Sequence, residues 1–214
     1  MKQSDVKQRI IDAAISLFHT KGYDGTSVRD IAKLAKVNVA NISYYFSNKQ
    51  GLLEYLVTDF SEGYIHILER TFEQQNLLSP KEMILVIIRD ILVYQSNYHQ
   101  LARFFYREIS LDSMLVREVM ATYLTKEKYY FQTIIQKGIQ QGEFRKIPFF
   151  VFMTQLKGML NIPYLHSQYT AEVLYVYPSE NYFIDSYTKE LGRWIELVLC
   201  SNEKSKPLPK LVHF

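Results

Sequence analysis

The sequence contains few of the residues that cross-link a chain or interrupt helices. Its 214 residues include 1 cysteine, 8 glycines and 6 prolines. The single cysteine, Cys200, excludes an intramolecular disulfide and fits a reducing compartment, where we expect it to act as a packing residue. No apolar run approaches the ~20 residues that a membrane helix needs, and the N-terminus lacks the apolar region of a signal peptide. These absences predict a cytoplasmic protein without a membrane span.

Charge is unevenly distributed along the chain. Residues 1–50 contain eight Lys or Arg against four Asp, a net charge of +4, whereas the remainder holds 17 basic and 18 acidic residues, a net charge of −1. The excess positive charge therefore lies in the first quarter of the protein. This asymmetry favours an anionic partner for that segment, with a merely solvated basic surface as the alternative.

Apolar residues recur at three- and four-residue steps, and this spacing predicts an all-α protein. The first apolar stripe predicts a helix over 4–21. Ser27 and Asn38 are suited to cap two shorter helices, and a fourth helix is expected to start near Ser47 and to end near residue 73. The later helices are predicted at 80–96, 98–109, 113–141, 148–165 and 181–200, with an irregular link before the last.

The helices divide into two predicted domains and a tail. We expect a DNA-binding domain over 1–50, a helical regulatory and dimerisation domain over 51–200, and a flexible tail over 201–214. The last two long helices carry apolar stripes of the kind that form a two-fold, four-helix dimer interface. The residues predicted at this interface are Phe152, Leu156, Leu160, Leu191, Trp194, Ile195 and Val198.

The second and third predicted helices have the pattern of a helix-turn-helix, in which two short helices are joined by a three-residue turn. Ala32 is small enough for the helices to cross closely, and Ile42 and Phe46 are placed to hold the third helix in position. The polar face of that helix is then free to enter the major groove of double-stranded DNA, where Asn41 has the geometry for a bidentate contact with adenine. The side chains on or beside this face are Arg29, Val39, Ala40, Asn41, Ser43, Tyr44, Tyr45 and Lys49. For the two tyrosines, packing is the alternative role.

A family resemblance accompanies this pattern. The segments Thr26–Ala32 and Val37–Phe46, followed by Asn48-Lys49 and Leu52-Leu53, resemble the signature of the TetR family of bacterial regulators. The resemblance implies an all-α homodimer that binds a pseudo-palindromic site with half-sites about one helical turn (~34–36 Å) or a multiple apart. It also implies that Asn38 and Lys49, with Thr26 or Ser27, belong to the DNA-binding surface.

Two residues depart from the family pattern. Lys36 stands in the turn where the family usually has glycine, and a left-handed backbone there costs a non-glycine residue about 1–2 kcal/mol. Ser43 replaces a common tyrosine, which weakens the transfer of that DNA contact to this chain.

The C-terminal half leaves its role open. Its aromatic residues, among them Phe105 and Tyr106, have the spacing of a plain core, with a ligand cavity as the alternative. A charged helix face that includes Arg107, Arg117 and Glu118 is typical of surface salt bridges, with docking of a protein partner as the alternative. The histidines show no metal-ligand spacing, and neither a glycine-rich phosphate loop nor a serine elbow is present. We therefore predict no metal, no cofactor and no enzymatic activity.

Segments of the C-terminal half, including Phe105–Glu108 and Pro163–Leu165, also resemble a TetR-type subgroup from spore-forming Bacillus relatives. This narrower resemblance implies a nucleoid-associated regulator that binds chromosomal sites during sporulation and acts on a cell-division protein. The alternative is a transcriptional repressor that responds to a small-molecule effector of unknown identity. A helical enzyme or scaffold without nucleic acid is the third hypothesis.

Overall fold

The computed structural model describes residues 3–110 and 114–200, with side chains described over 5–108 and 120–200. The described residues form helices and no β-strand, which confirms the predicted all-α class. The α-helices within the described residues are, in chain order, α1 (Gln3–Lys21), α2 (Val28–Ala35), α3 (Val39–Phe46), α4 (Lys49–Glu73), α5 (Pro80–Asn97), α6 (His99–Ser110), α7 (Met114–Gln140), α8 (Phe149–Leu165), α9 (Ser167–Glu172) and α10 (Asn181–Ile195). Among these described helices, none is long and apolar enough to span a membrane.

Two features of the last third differ from the predicted helices. Helix α9 lies in the stretch predicted to be an irregular link, and α10 passes into a π-helical turn at Glu196–Cys200. Helix α8 contains Pro163, whose missing N–H leaves the carbonyl of Met159 without its helical donor. The Tyr187 hydroxyl of α10 donates to that carbonyl at 2.8 Å, so the proline becomes a point of attachment between α8 and α10.

The N-terminal helices share their core with the regulatory part of the chain. Ile10 and Phe18 of α1 are fully buried with Ile42 of α3, and the same cluster continues into Phe60 of α4 and Phe104 of α6. The predicted domain boundary after residue 50 therefore falls at the start of α4, within one continuous core. Helix α6 packs on α1 as well as on α4, and this contact joins the two halves of the chain.

A second core lies between the distal half of α4 and helices α5, α7, α8 and α10. Most of the residues predicted at the dimer interface belong to it. At most 3% of the surface of Phe152, Leu156, Leu160, Leu191 and Ile195 is exposed, so these five side chains face the core of their own chain. Trp194 is half-buried and stacks on Phe152 at 5.5 Å, and Val198 is also half-buried. This placement corrects the prediction for the five buried residues, because apolar spacing marks a buried stripe without saying which helices cover it, whereas for Trp194 and Val198 it stays a prediction. The predicted tail over 201–214 lies outside the described residues.

Candidate nucleic-acid interface

Helices α2 and α3 each begin at a capping residue. The Ser27 side chain accepts from the Asp30 backbone N–H at 3.1 Å, and the Asp30 carboxylate accepts from the Ser27 backbone N–H at 3.1 Å and from its hydroxyl at 2.6 Å. These hydrogen bonds lower the pKa of Asp30, so it is held in the charged form at the start of α2. Asn38 caps α3 by accepting from the Ala40 N–H at 2.9 Å. Both predicted capping residues therefore fix the helix starts.

The backbone of Lys36 closes α2 in the left-handed conformation, with φ 55° and ψ 49°. This is the conformation expected from the glycine that usually occupies the position, and the lysine adopts it at an energetic cost. The N–H of the next residue, Val37, donates to the Ala32 carbonyl at 3.0 Å. The chain thereby reverses direction within three residues and presents α3 across α2.

Helix α3 is anchored on one side and open on the other. Ile42 is fully buried and Phe46 is 5% exposed, as predicted, and both pack beneath the helix. The opposite face carries the exposed residues, and the half-buried residues flank it. The exposed predicted DNA-binding residues of the turn and helix are Asn38, Val39, Ala40, Ser43 and Tyr44, and the half-buried ones are Asn41 and Tyr45. Tyr44 and Tyr45 contact each other edge to face at 5.0 Å. The face is therefore polar, aromatic at its end, and accessible to a groove.

Cations surround this face without local carboxylate partners. Arg29, Lys33 and Lys36 are exposed on α2 and its turn. Among the described residues of the first fifty, the ion pair observed is Arg9–Asp5 at 3.9 Å, on α1. The three cations on α2 and its turn therefore remain available to neutralise phosphates.

Two predicted phosphate contacts have a different environment from the one expected. Thr26 is 2% exposed and its hydroxyl donates to the Gly22 carbonyl at 2.8 Å, so its side chain belongs to the fold. The Lys49 ammonium donates to the carbonyls of Tyr23 and Thr26, each at 3.0 Å, and lies 4.1 Å from the centre of the Tyr23 ring. Lys49 thus ties the start of α4 to the loop before α2. One of its three N–H donors remains for a phosphate.

A glycine that the sequence analysis did not single out holds α3 against α4. A Cβ added to Gly51 would overlap with the carbonyl oxygen of Phe46, the last residue of α3. The Asn48 side chain accepts from the Gly51 N–H at 2.9 Å and closes the same corner. The signal in the sequence was the glycine within the first turn of a helix, where alanine is otherwise preferred.

Comparison with known proteins agrees with this geometry. The family model for bacterial regulatory proteins of the tetR family matches residues 10–56, the segment from the middle of α1 to the first turns of α4. A relative from Bacillus subtilis strain 168, the probable HTH-type transcriptional regulator YttP, is 51% identical over 197 residues, which cover 92% of this chain and 95% of the relative. The chain belongs to the TetR family.

Solved structures, among them a TetR-family transcriptional regulator, share the fold over nearly the whole chain. PfmR of Thermus thermophilus superposes with a TM-score of 0.74 at 20% identity, covering 89% of this chain and 98% of PfmR. AibR, solved in complex with isovaleryl coenzyme A and operator DNA, superposes with a TM-score of 0.71 at 17% identity, covering 91% of this chain and 97% of AibR. The family model and the Bacillus relative together identify this protein as a TetR-family DNA-binding transcriptional regulator, with its helix-turn-helix at residues 28–46.

The regulatory half of this TetR-family chain contains a cavity of about 250 Å³ between α4, α6, α7 and α8. Its walls are mainly apolar and include Phe105, Met120 and Leu124. A polar cluster lies at one side, where Tyr64 donates to the Glu127 carboxylate at 2.5 Å and Lys157 donates to the same oxygen at 2.9 Å.

This polar cluster is largely withdrawn from solvent. Glu127 is 5% exposed, and burial together with the Glu127 charge raises the pKa of Tyr64 well above its usual value. The phenol therefore stays protonated and acts as a donor. Nearby, the Asn161 side-chain oxygen lines the same cavity, is buried, and has no hydrogen-bond partner among the described residues. The cavity thus combines an apolar wall with a fixed charged pair and an unused acceptor.

Proposed function

We propose that the protein is a homodimeric repressor that binds pseudo-palindromic DNA and is controlled by a small molecule in the α4–α6–α7–α8 cavity. The observation that carries the proposal is that α6 contacts both the cavity and the DNA-binding half. Phe105 and Tyr106 of α6 line the cavity. On the same helix, Phe104 stacks on Phe18 of α1 with ring centres 5.1 Å apart, and Arg107 donates to the Phe18 carbonyl at 2.6 Å.

Repression would be relieved through α6. A ligand that enters the cavity presses on Phe105 and Tyr106, and any shift of α6 moves the aromatic stack and the hydrogen bond that hold α1. Because α1 packs on α2 and α3, a shift of α1 changes the spacing between the two α3 helices of a dimer. The effector then lowers the affinity for DNA, and DNA lowers the affinity for the effector by the same factor, because both changes reflect one coupling free energy.

The cavity favours a ligand with an apolar body and one polar group. The apolar wall supplies most of the contact area, and Lys157, Glu127 and Asn161 supply the oriented polar contacts that give specificity. AibR, which has the same fold, was solved with both an acyl thioester and operator DNA. For the present protein we propose a smaller amphipathic effector, of a size that fits a cavity of about 250 Å³.

A cavity-filling variant tests the proposal. Leu124 lines the cavity, so Leu124→Trp should abolish the response to effectors while DNA affinity is retained. Leu77 is 84% exposed on a loop, and Leu77→Trp serves as the matched control. Thermal-shift screening with fatty acids, aromatic carboxylates and alkyl amines would identify a binder, and fluorescence anisotropy with operator DNA would measure the response. An effector that acts equally on both variants would contradict the assignment of this cavity.

For the dimer, we propose the exposed apolar faces of α8 and α10 in place of the buried stripes. Val151 and Ile162 of α8 are 37% and 48% exposed, and Tyr182 of α10 is 73% exposed. A second copy would remove this apolar area from water, as TetR-family homodimers require. Ile162→Asp should shift the protein towards monomer in sedimentation velocity, whereas Leu77→Asp should leave the assembly unchanged. A dimer of undiminished stability in the first variant would refute this surface.

The alternative function is chromosome positioning through a cell-division partner, which rests on the resemblance of C-terminal segments to RefZ. Of the three residues proposed for such a partner, Arg107 is turned inward and donates to the Phe18 carbonyl. Arg117 and Glu118 lie outside the described side chains. Genome-wide mapping of bound sites distinguishes the hypotheses: promoter sites support the repressor, and sites dispersed around one chromosomal region, without change in nearby transcripts, support positioning.

A further inference from the structure

A second cleft lies at the junction of the two halves of the chain. It has a volume of about 520 Å³ and is bounded by the last turn of α1, the first turns of α6, and the end of α8 with α9. It shares no lining residue with the cavity described above. Its polar lining includes His19 of α1, His99 and Arg103 of α6, and Ser167 of α9, while Tyr164 contributes an aromatic wall.

Two polar atoms of this cleft are buried without a partner. The Nδ1 atom of His19 and the Oγ atom of Ser167 are both withdrawn from solvent, and neither makes a hydrogen bond among the described residues. Buried polar groups are almost always paired, so unpaired ones call for an explanation. Here the two atoms come from different helices and line the same cleft, so a single ligand would reach both.

The charge of the cleft is positive on the side formed by α1 and α6, where His19 lies. Burial lowers the pKa of His19, and the neighbouring charges of Arg103, His99 and Arg107 lower it further, while a backbone hydrogen bond to Gln100 opposes them. Within the described part of the chain, the charge of Arg103 acts on His19, and Arg103 takes part in no ion pair or hydrogen bond there. Its guanidinium therefore presents donors to the cleft that no carboxylate of the described residues satisfies.

One carboxylate belongs to the lining. Glu172 lies at the far end of α9 and accepts a hydrogen bond from Gln168, one turn earlier on the same helix, at 3.3 Å. Among the described residues, the partner of Glu172 is Gln168, and no salt bridge joins Glu172 to Arg103. The cleft is thus polarised, with its cations on the α1–α6 side and its single acidic group on α9.

The geometry points to a binding site for the phosphate group of a small phosphorylated metabolite, held by Arg103, Ser167 and His19. A guanidinium binds two phosphate oxygens through parallel N–H bonds. The Ser167 hydroxyl donates to one of the remaining oxygens. His19 takes up a proton when the phosphate binds, and its Nδ1–H then donates to another oxygen, which satisfies both unpaired atoms. A carboxylate has only two oxygens, which the guanidinium alone would occupy. The volume exceeds that of a bare phosphate ion, and the Tyr164 side provides a wall for the organic part.

Phosphate in this cleft would connect α1 directly to α6 and α9. It would therefore act on the same junction as the proposed effector, from the opposite side of α6. This coupling to DNA affinity rests on the proposed function, whereas the site itself does not. The experiment separates the two by measuring binding and DNA affinity independently.

The site is tested by isothermal titration calorimetry on the full chain in a phosphate-free buffer at pH 7. The probes are inorganic phosphate, ribose 5-phosphate, AMP and acetate. We expect saturable binding of at least one phosphate monoester, weakened at least about tenfold in Arg103→Gln and less in Ser167→Ala. The matched control is Arg193→Gln, which removes an exposed arginine of α10 and should bind as the wild type does.

Unfolding of the variants is followed by circular dichroism, and Ser167→Ala keeps the test valid if Arg103→Gln is destabilised. The site is refuted if no phosphate probe saturates below about 10 mM, if Arg103→Gln binds as tightly as the wild type, or if acetate competes as well as phosphate does. Fluorescence anisotropy with operator DNA supplies the second readout. Unchanged DNA affinity at saturating probe would refute the coupling and leave the site established.

Discussion

Replacement of Lys49 by methionine separates its role in the fold from its role at DNA. Lys49→Met keeps the length of the side chain but removes two hydrogen bonds of 3.0 Å to the carbonyls of Tyr23 and Thr26, together with the contact to the Tyr23 ring at 4.1 Å. Hydrogen bonds to charged groups contribute ~1.5–3 kcal/mol each, but Lys49 is only half-buried, so water replaces part of the loss and the pair is taken at ~2 kcal/mol. The cation–π contact adds ~0.5 kcal/mol.

The expected loss in the free energy of unfolding of Lys49→Met is therefore ~2–3 kcal/mol, which corresponds to a fall in Tm of about 5–10 °C for a chain of this size. Circular dichroism at fixed protein concentration measures it, because the stability of a dimer depends on concentration. Lys33→Met is the control, since Lys33 is exposed on α2 and should change the free energy of unfolding by less than ~0.5 kcal/mol.

DNA binding by the same variant examines the third N–H donor of the Lys49 ammonium, which makes no hydrogen bond to the carbonyls of Tyr23 and Thr26. If it binds a phosphate, the slope of log K against log salt falls by ~0.9 in Lys49→Met, and affinity falls on every duplex. A Tm equal to that of the Lys33 control would refute the bridging role of Lys49 in the fold. An unchanged salt slope, measured well below the Tm of the variant, would refute the phosphate contact.

The remaining predictions concern the turn, the recognition surface and the corner with α4. Lys36→Gly should raise the free energy of unfolding by ~0.5–1 kcal/mol, because the strain relieved in the left-handed backbone exceeds the entropic cost of glycine. Lys33→Gly within α2 should instead lower the free energy of unfolding by ~1 kcal/mol. Chemical denaturation measures both changes. Asn41→Ala should cost ~1–3 kcal/mol on specific DNA and relax sequence choice at one base pair, and equal losses on specific and random duplexes would contradict a reading role. Gly51→Ala should displace the end of α3 and cost ~1–3 kcal/mol of stability along with DNA affinity. Gly158→Ala is its control, because a Cβ there meets nothing within 4 Å, and similar behaviour of the two glycine variants would argue against the close approach.

Local signals were sufficient for the DNA-binding half. Cap residues such as Ser27 and Asn38 act within three residues of sequence, so they specify helix starts wherever the rest of the chain lies. The left-handed turn at Lys36 was also foreseeable, from the absence of the glycine that the position favours. The predicted helix boundaries there differ from the observed ones by a few residues.

Hydrogen bonds between a side chain and a distant segment of the chain were harder to predict. Lys49 and Arg107 are both basic residues on predicted helix surfaces, yet each donates to a backbone carbonyl of a distant segment. Such contacts depend on where the end of another helix lies, and the sequence pattern of one helix carries no information on this. The same limit applies to Glu127, whose partners Tyr64 and Lys157 lie on other helices.

The sequence alone determined that this chain is helical, that its basic segment carries a helix-turn-helix, and that Ile42 and Phe46 support the helix that faces DNA. These properties follow from periodicity and capping, which are short-range. The tertiary structure decided which apolar stripes are covered by the chain itself, so that Leu156 and Leu191 lie in a core and are not available to a second copy. It also decided where clefts remain, because cavities and polarised junctions arise only when helices distant in sequence are packed together.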